Sequence, residues 1–344
     1  MSDSPSPTAD PNARIWELIR GWWRFCALNA WVELGCPDRL AGGPLTAEQL
    51  AERCGAHAPS MERLLRAMAS LGVVTADTER GTYALTEVGA LLRSDVPDSM
   101  HPGVAVMGEE MSWTLMGRLA DTVRTGRSPV ADSHGSLYGY YATRPELEKQ
   151  FAAYMTARSR SFARGLLDAY DFSGVQTMVD VGGGVGTIIA DVLSAYPGIK
   201  GTLLDLPSVT EAAHAYLASQ GVADRCEVVA GSFLESVPAK ADRYLLASIL
   251  HNWPDETALQ ILRTVREAMG EHSRVLLLDI LLPDVPDRPH LGYDMDIRMM
   301  ALFGEGHERT RDAYLGLLEE GGFKPLRTIE LASGPTLVEA AAAG

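Results

Sequence analysis

Val179-Asp180-Val181-Gly182-Gly183-Gly184-Val185-Gly186 joins a strand-like apolar run to a helical pattern. The helix that follows places Ile188, Ile189, Val192 and Leu193 on one face and ends at Pro197-Gly198. Glycines at such a junction allow a tight turn and let a ligand approach the backbone closely. Dinucleotide sites share this kind of loop, so the loop alone does not choose between ligands. The spacing Gly182-x-Gly184-x-Gly186 departs from the dinucleotide fingerprint, which requires Gly or Ala where Thr187 stands. Asp180, two residues before the first glycine, is placed to meet a ligand's amino group.

Outward from the loop, short β-rich runs alternate with helical ones: Thr177–Val181, Gly201–Leu204, Cys226–Ala230, Tyr244–Leu246 and Arg274–Leu278. That alternation predicts an α/β fold, a Rossmann-like parallel sheet with helices on both faces. Asp205 ends the second run, where a carboxylate can bond both ribose hydroxyls of a nucleoside; nicotinamide and adenosyl-sulfonium ligands would both satisfy it. Gly231-Ser232-Phe233 follows the third run and could bracket an adenine through a hydroxyl contact and ring packing.

Upstream, the chain changes character. Ala13–Leu34 reads as a helix apolar on nearly every face and holds four of the six tryptophans. Such a helix needs cover on all sides, which a homodimer interface would supply. Thr46-Ala-Glu-Gln49 is a capping box opening a helix to Gly55, and Ser60 is read as the cap of a second helix. Val73-Val74 and Thr82–Leu85 flank a polar turn, which completes a winged helix. Glu48, Glu52 and Glu62 offset Arg53, Arg63 and Arg66, so no basic stripe forms and nucleic acid is not an expected partner. The expected organisation is a disordered tail over 1–12, a winged-helix dimerisation domain over 13–105, a helical linker contributing to the substrate pocket over 106–170, and a ligand-binding α/β domain over 171–344.

The 344 residues are 46% hydrophobic and 22% charged, which excludes disorder, and 30 basic against 45 acidic residues give a net charge of −15. That surface repels phosphate backbones and anionic lipid. The four cysteines lack C-x-x-C spacing, so neither a zinc ribbon nor a disulfide framework is expected. The start of the chain lacks the pattern of a secretory leader and no run is long enough to span a bilayer, so the expected location is cytoplasmic, without membrane contact.

Five segments in order, Val179–Gly186, Leu204-Asp205-Leu206-Pro207, Gly231-Ser232-Phe233-Leu234, Leu250-His251-Asn252-Trp253-Pro254-Asp255 and Gly306-His307-Glu308-Arg309-Thr310, carry a resemblance. Together they resemble the S-adenosylmethionine-dependent class I O-methyltransferases of the plant caffeate and hydroxyindole type, whose bacterial members often act on aromatic natural products. The resemblance spans about residues 13 to 340 and implies an intertwined homodimer. It implies that Asp180, Gly182, Gly184, Asp205, Leu206, Ser232, Phe233 and Ser248 hold S-adenosylmethionine. A pocket for an aromatic acceptor is expected among Trp113, Phe151, Met155, Asn252, Met299 and Phe303, of which Met155, Met299 and Phe303 match the family's substrate-lining positions.

The chemistry asks for a base. A methyl sulfonium is already an activated electrophile, whereas a phenol with a pKa of about 10 is mostly protonated at neutral pH. Histidine suits that task, and His251 lies just past the fourth sheet strand, at the end where such sheets bind ligands. The base needs its second ring nitrogen held, and the resemblance assigns that to Asp279 and Glu308. Three positions depart from the family pattern: Asn252 stands for Asp, Ala247 for Lys and Ser232 for Asp. Decarboxylation or hydroxylation on the same fold, as in some anthracycline-tailoring relatives, is the alternative enzyme reading. A nicotinamide dehydrogenase is a weaker one, and a ligand-sensing winged-helix regulator is the non-enzymatic reading. No metal is expected, because the histidines and acids form no compact ligand cluster of the H-E-x-x-H kind.

Overall fold

The computed structural model describes residues 10–130 and 137–343. The expected tail lies outside the described residues up to position 9, as do residues 131–136 of the expected helical linker. Pro11 and Asn12, expected in the tail, are helical instead. Asp10 caps the helix Pro11–Glu33 by accepting the Asn12 N–H at 3.1 Å, and Pro11 supplies a first-turn residue that needs no N–H partner.

The chain groups into two compact units. One runs to Trp113 and includes Glu146–Ala157; the other comprises Thr114–Pro145 and Arg158 onward. The 106–170 segment is therefore divided between them, because the long helix Pro145–Ala169 gives residues to both.

In the first unit, helix Ala47–Cys54 opens with the expected capping box, Thr46 and Gln49 bonding each other's backbone N–H, and Gly55 closes it in the left-handed conformation. Helix Ala58–Ser70 starts before Ser60, so the expected cap is instead a first-turn residue whose hydroxyl bonds the His57 ring at 3.1 Å. Pro59 explains the early start, since proline fits a helix's first turn. Strands β1 (Val74–Asp77) and β2 (Thr82–Leu85) form the antiparallel wing, and the Tyr83 hydroxyl donates to Glu62 at 3.1 Å. Leu50, Leu65, Met68, Val73 and Trp31 fill the core between these elements. Cys36 and Cys54 face each other as free thiols, Sγ to Sγ 3.6 Å. The first helix is not covered on all sides by the described residues. Trp31 is fully buried, whereas Trp16, Trp22 and Trp23 are 56, 53 and 54% exposed, with Ile15 and Ile19 beside them.

The second unit is built on a seven-stranded sheet in the order β5-β4-β3-β6-β7-β9-β8. Its strands are β3 (Thr177–Val181), β4 (Lys200–Asp205), β5 (Cys226–Ala230), β6 (Arg243–Ala247), β7 (Arg274–Asp279), β8 (Phe323–Glu330) and β9 (Thr336–Ala342). The first five run parallel, as the alternation predicts; β9 is antiparallel between β7 and β8. Both faces are covered, which is why these strands read as nearly continuous apolar runs. On one face Val181, Leu246, Leu277 and Val338 pack with Ile261, Leu262 and Val265 of helix Asp255–Ala268. On the other, Met178, Leu203, Leu245 and Leu276 pack with Ile188, Ile189 and Val192 of helix Thr187–Ala195. Strand order reverses between β3 and β6, and their carboxyl ends open the crevice where such sheets receive ligands. Among the described residues, no helix is long and apolar enough to cross a membrane.

Candidate active site

The glycine loop leaves β3 as expected. Gly182 has φ +72°, and a side chain there would approach Ile249 Cδ1 at 2.7 Å and Phe233 Cε1 at 3.1 Å. At Gly183 a methyl would overlap the Asp180 carboxyl and Leu203 Cδ1. The loop is tied to the end of β4: Gly184 N–H donates to Asp205 Oδ2 and Leu206 N–H to Asp205 Oδ1, each at 2.7 Å. Asp205 therefore spends part of its acceptor capacity on the loop, and each oxygen keeps one lone pair for a ligand.

Asp180 lies buried at the end of β3, and neither carboxyl oxygen has a hydrogen-bond partner. Burial pushes this carboxyl up to about 7, and the charge of Asp205 pushes the same way. An unpartnered buried carboxyl is costly, so its persistence points to a ligand or proton that completes it. Ser232 accepts the Leu234 N–H at 3.3 Å, and Phe233 meets Trp253 edge to face at 6.3 Å. Ser248 has φ +56°, unusual for a residue with a side chain and typical of crevices where backbone strain is retained. Its N–H donates to Leu278 O at 2.9 Å, and its carbonyl accepts the Asn252 Nδ2 at 3.1 Å. Asn252 thus holds the strained turn, whatever else it contacts.

His251 sits in the 3-10 turn Leu250–Asn252 directly after β6 and is only 4% exposed. Its Nδ1 lies 2.9 Å from Glu308 Oε1 and 3.6 Å from Asp279 Oδ1. The structure thus brings the three expected catalytic residues together from the β6 turn, the end of β7 and the segment after helix Leu291–Phe303. With Nδ1–H donated to Glu308, the Nε2 lone pair is left as the proton acceptor. The Glu308 backbone N–H donates to Asp296 Oδ1 at 2.8 Å. Arg309, buried, reaches Leu250 O at 2.8 Å, Trp253 O at 2.7 Å and Asp255 Oδ1 at 2.8 Å, which staples the histidine turn to the glutamate segment.

Burial pushes the Asp279 carboxyl up to about 6; His251 opposes this, Glu308 adds to it, and Tyr314 and Arg158 oppose it. The Tyr314 hydroxyl donates to Asp279 Oδ2 at 2.8 Å, and Arg158 Nη2 is buried without a hydrogen-bond partner. Sequence reasoning missed Tyr314, Arg158 and the stapling work of Arg309. The expectation of no compact ligand cluster needs correction in space: ligand atoms of His251, Asp279 and Glu308 lie within 4.8 Å of one another. Sequence spacing hides this because the three come from separate segments.

The expected pocket residues fall into both units. In the first, Trp113 packs edge to face on Trp22 at 4.6 Å and donates its Nε1–H to Gly108 O at 2.6 Å, while Phe151 and Met155 are half-buried on the long helix. In the second, Met299 is buried and Phe303 half-buried, both on helix Leu291–Phe303. A groove of about 450 Å³ lined by Thr177, Lys200, Cys226 and Lys240 lies at the opposite, amino end of the strands.

A glycine loop at a switch point, an acid ending the next strand and a buried histidine beside two acids define a class I, nucleoside-binding methyltransferase architecture. Residues 116–324 match the O-methyltransferase domain family and residues 16–95 the O-methyltransferase dimerisation domain. A phenazine O-methyltransferase of Lysobacter antibioticus is 38% identical over 325 residues, covering 94% of each chain. A mitomycin biosynthesis 6-O-methyltransferase of Streptomyces lavendulae is 35% identical over 323 residues, covering 94% of this chain and 92% of that one. The crystal structure of a methyltransferase of calicheamicin biosynthesis, bound to S-adenosylhomocysteine, superimposes with a TM-score of 0.88 at 34% identity over 98% of this chain and 100% of that one. The chain belongs to the O-methyltransferase family, carries its dimerisation domain and is an S-adenosylmethionine-dependent methyltransferase.

Proposed function

We propose that the protein methylates a hydroxyl of an aromatic small molecule, a bacterial secondary metabolite, with His251 as general base. The carrying observation is the buried His251 Nδ1 bond to Glu308 at 2.9 Å, which leaves Nε2 to take the acceptor's proton. The reacting acceptor loses its O–H proton to Nε2 as its oxygen meets the methyl carbon. The imidazolium so formed is stabilised by Glu308 and Asp279 without either taking the proton.

The residues present fit S-adenosylmethionine. The orphaned Asp180 carboxyl suits an ammonium group, the unpartnered Arg158 Nη2 suits a carboxylate, and the spare lone pairs of Asp205 suit a ribose diol. Gly182, Gly184 and Leu206 are assigned to close backbone approach to the donor, and Ser232, Phe233 and Ser248 to its adenosine. The bound donor supplies a methyl group already activated on sulfonium, so no metal is needed. Trp113, Phe151, Met155, Asn252, Met299 and Phe303 are assigned to the acceptor, whose flat rings suit aromatic and thioether walls. Two copies pair through helix Pro11–Glu33, whose exposed tryptophans are otherwise left in water. Four free thiols suit a reducing, cytoplasmic setting.

The test is His251→Gln assayed by product mass against a panel of phenolic acceptors. A 14-dalton gain by wild type, a turnover lower by about 10²- to 10⁴-fold in the variant and unchanged S-adenosylhomocysteine affinity are expected. Wild-type turnover by the variant overturns the base assignment; a product without the added methyl favours decarboxylation or hydroxylation.

A further inference from the structure

Tyr314 lies on helix Arg311–Glu320 with its side chain fully buried. Its hydroxyl donates to Asp279 Oδ2 at 2.8 Å. The other oxygen, Asp279 Oδ1, has no hydrogen-bond partner and faces His251 Nδ1 at 3.6 Å. The phenol therefore fixes the rotation of the carboxyl and decides which oxygen the imidazole sees.

A buried carboxyl beside a second carboxyl has reason to stay protonated, because both burial and like charge disfavour its anion. The groups facing Asp279 come from four other elements: His251 from the β6 turn, Glu308 from the segment after helix Leu291–Phe303, Tyr314 from its own helix and Arg158 from the long helix. His251, Tyr314 and Arg158 favour the anion; Glu308 opposes it. Tyr314 is itself faced by Asp279, Glu308 and Arg309, the last with its guanidinium carbon 5.9 Å from the ring centroid. Burial, followed by Asp279, pushes the phenol well above its ordinary value of 10, so it remains a donor across the working range.

We propose that Tyr314 is a positioning residue for the base: its hydrogen bond to Oδ2 keeps Asp279 charged with Oδ1 turned to His251 Nδ1, so that the imidazolium has two carboxylates beside its Nδ1. This rests on the reading of His251 as the base. When Nε2 takes the acceptor's proton, the acceptor O–H bond breaks and an N–H bond forms. The ring gains one positive charge, and the protons on Tyr314 and Nδ1 stay where they are. A neutral Asp279 would leave Glu308 as the sole anion beside the ring.

The experiment is a ¹⁵N NMR titration of the His251 ring in the full-length protein saturated with S-adenosylhomocysteine, with the resonance assigned by its loss in His251→Gln. Tyr314→Phe is expected to lower the imidazolium pKa by about one pH unit, the size of one hydrogen bond to a buried charge. The same substitution in an Asp279→Asn background is expected to move it little, because the two changes act on one interaction. A merely structural role for Tyr314 would lower the melting temperature and leave the titration in place. That result, or equal shifts in both backgrounds, overturns the proposal.

Should Tyr314→Phe fail to fold, 3-fluorotyrosine at 314 preserves the shape and carries the test. Its more acidic phenol is a stronger donor and is expected to raise the imidazolium pKa; no movement overturns the proposal. Failure of the base reading is separately visible as wild-type turnover by His251→Gln, whatever the titration shows.

Discussion

Replacing Asp180 by Asn removes a buried carboxyl pushed from its ordinary 3.8 up to about 7 while preserving its shape. Between those two values the folded protein holds a proton that the unfolded chain has released, so folding stability is lost as pH rises across the window. The resulting cost to the wild type is about 2 kcal/mol at pH 5 and about 4 kcal/mol at pH 8. Asn carries no such titration but leaves a buried amide without partners, a constant cost of about 1–3 kcal/mol. The stability difference should therefore swing toward the variant by about 2–3 kcal/mol from pH 5 to pH 8. For a chain of this size that is about 3–4 °C in melting temperature. The titration of Asp279 occurs in both proteins and cancels in the difference. The assay is thermal unfolding of both proteins across that range, without ligand and at one protomer concentration. Added S-adenosylhomocysteine, which carries the same ammonium group, should shrink the swing in the wild type and bind the variant more weakly. Parallel melting curves at every pH would refute the claim that this carboxyl is held protonated by burial.

Gly183→Ala places a methyl against the Asp180 carboxyl and within 2.5 Å of Leu203 Cδ1, so it should destabilise the protein by about 1–3 kcal/mol. It should also weaken S-adenosylhomocysteine binding at least about 10-fold by calorimetry, since the loop must shift to accept it. The double substitution Trp16→Glu and Trp22→Glu puts charge on the exposed face of the first helix and should weaken the dimer by about 100-fold or more, read by light scattering across a dilution series. An unchanged dimer would place the interface elsewhere.

The strands that the sequence made legible are those buried on both faces. Val179, Leu203, Leu245 and Leu276 belong to short apolar runs that have no other stable place than a covered parallel sheet. The last two strands gave weaker signals for physical reasons. In β9, Thr336–Ala342, three alanines occupy strand positions although alanine has little intrinsic preference for strands; the pairing with β7 and β8 compensates. In β8, Pro325 interrupts the pattern, and the register shifts between Pro325 and Arg327; proline is tolerated there because β8 is an edge strand.

For the site, legibility depended on how far a role is carried by neighbours in the chain. The glycine loop and Asp205 are read from a local turn, and the structure binds them to each other through Gly184 N–H. His251 is locatable from its place after a strand, but its two acids lie 28 and 57 residues further on and were reachable only through the family resemblance. The last of the five motif segments ends at Thr310, whose side chain caps the helix that carries Tyr314. Tyr314 shares a helix face with Leu317 and Leu318, all buried, and an apolar stripe of that kind reads as packing. The one signal was chemical: a tyrosine on a fully apolar face must find a partner for its hydroxyl, or a phenylalanine would serve. That rule states that a partner exists without naming it. Asp279, 35 residues earlier, becomes the partner only once β7 and the last helix are brought together by the same core that buries them both.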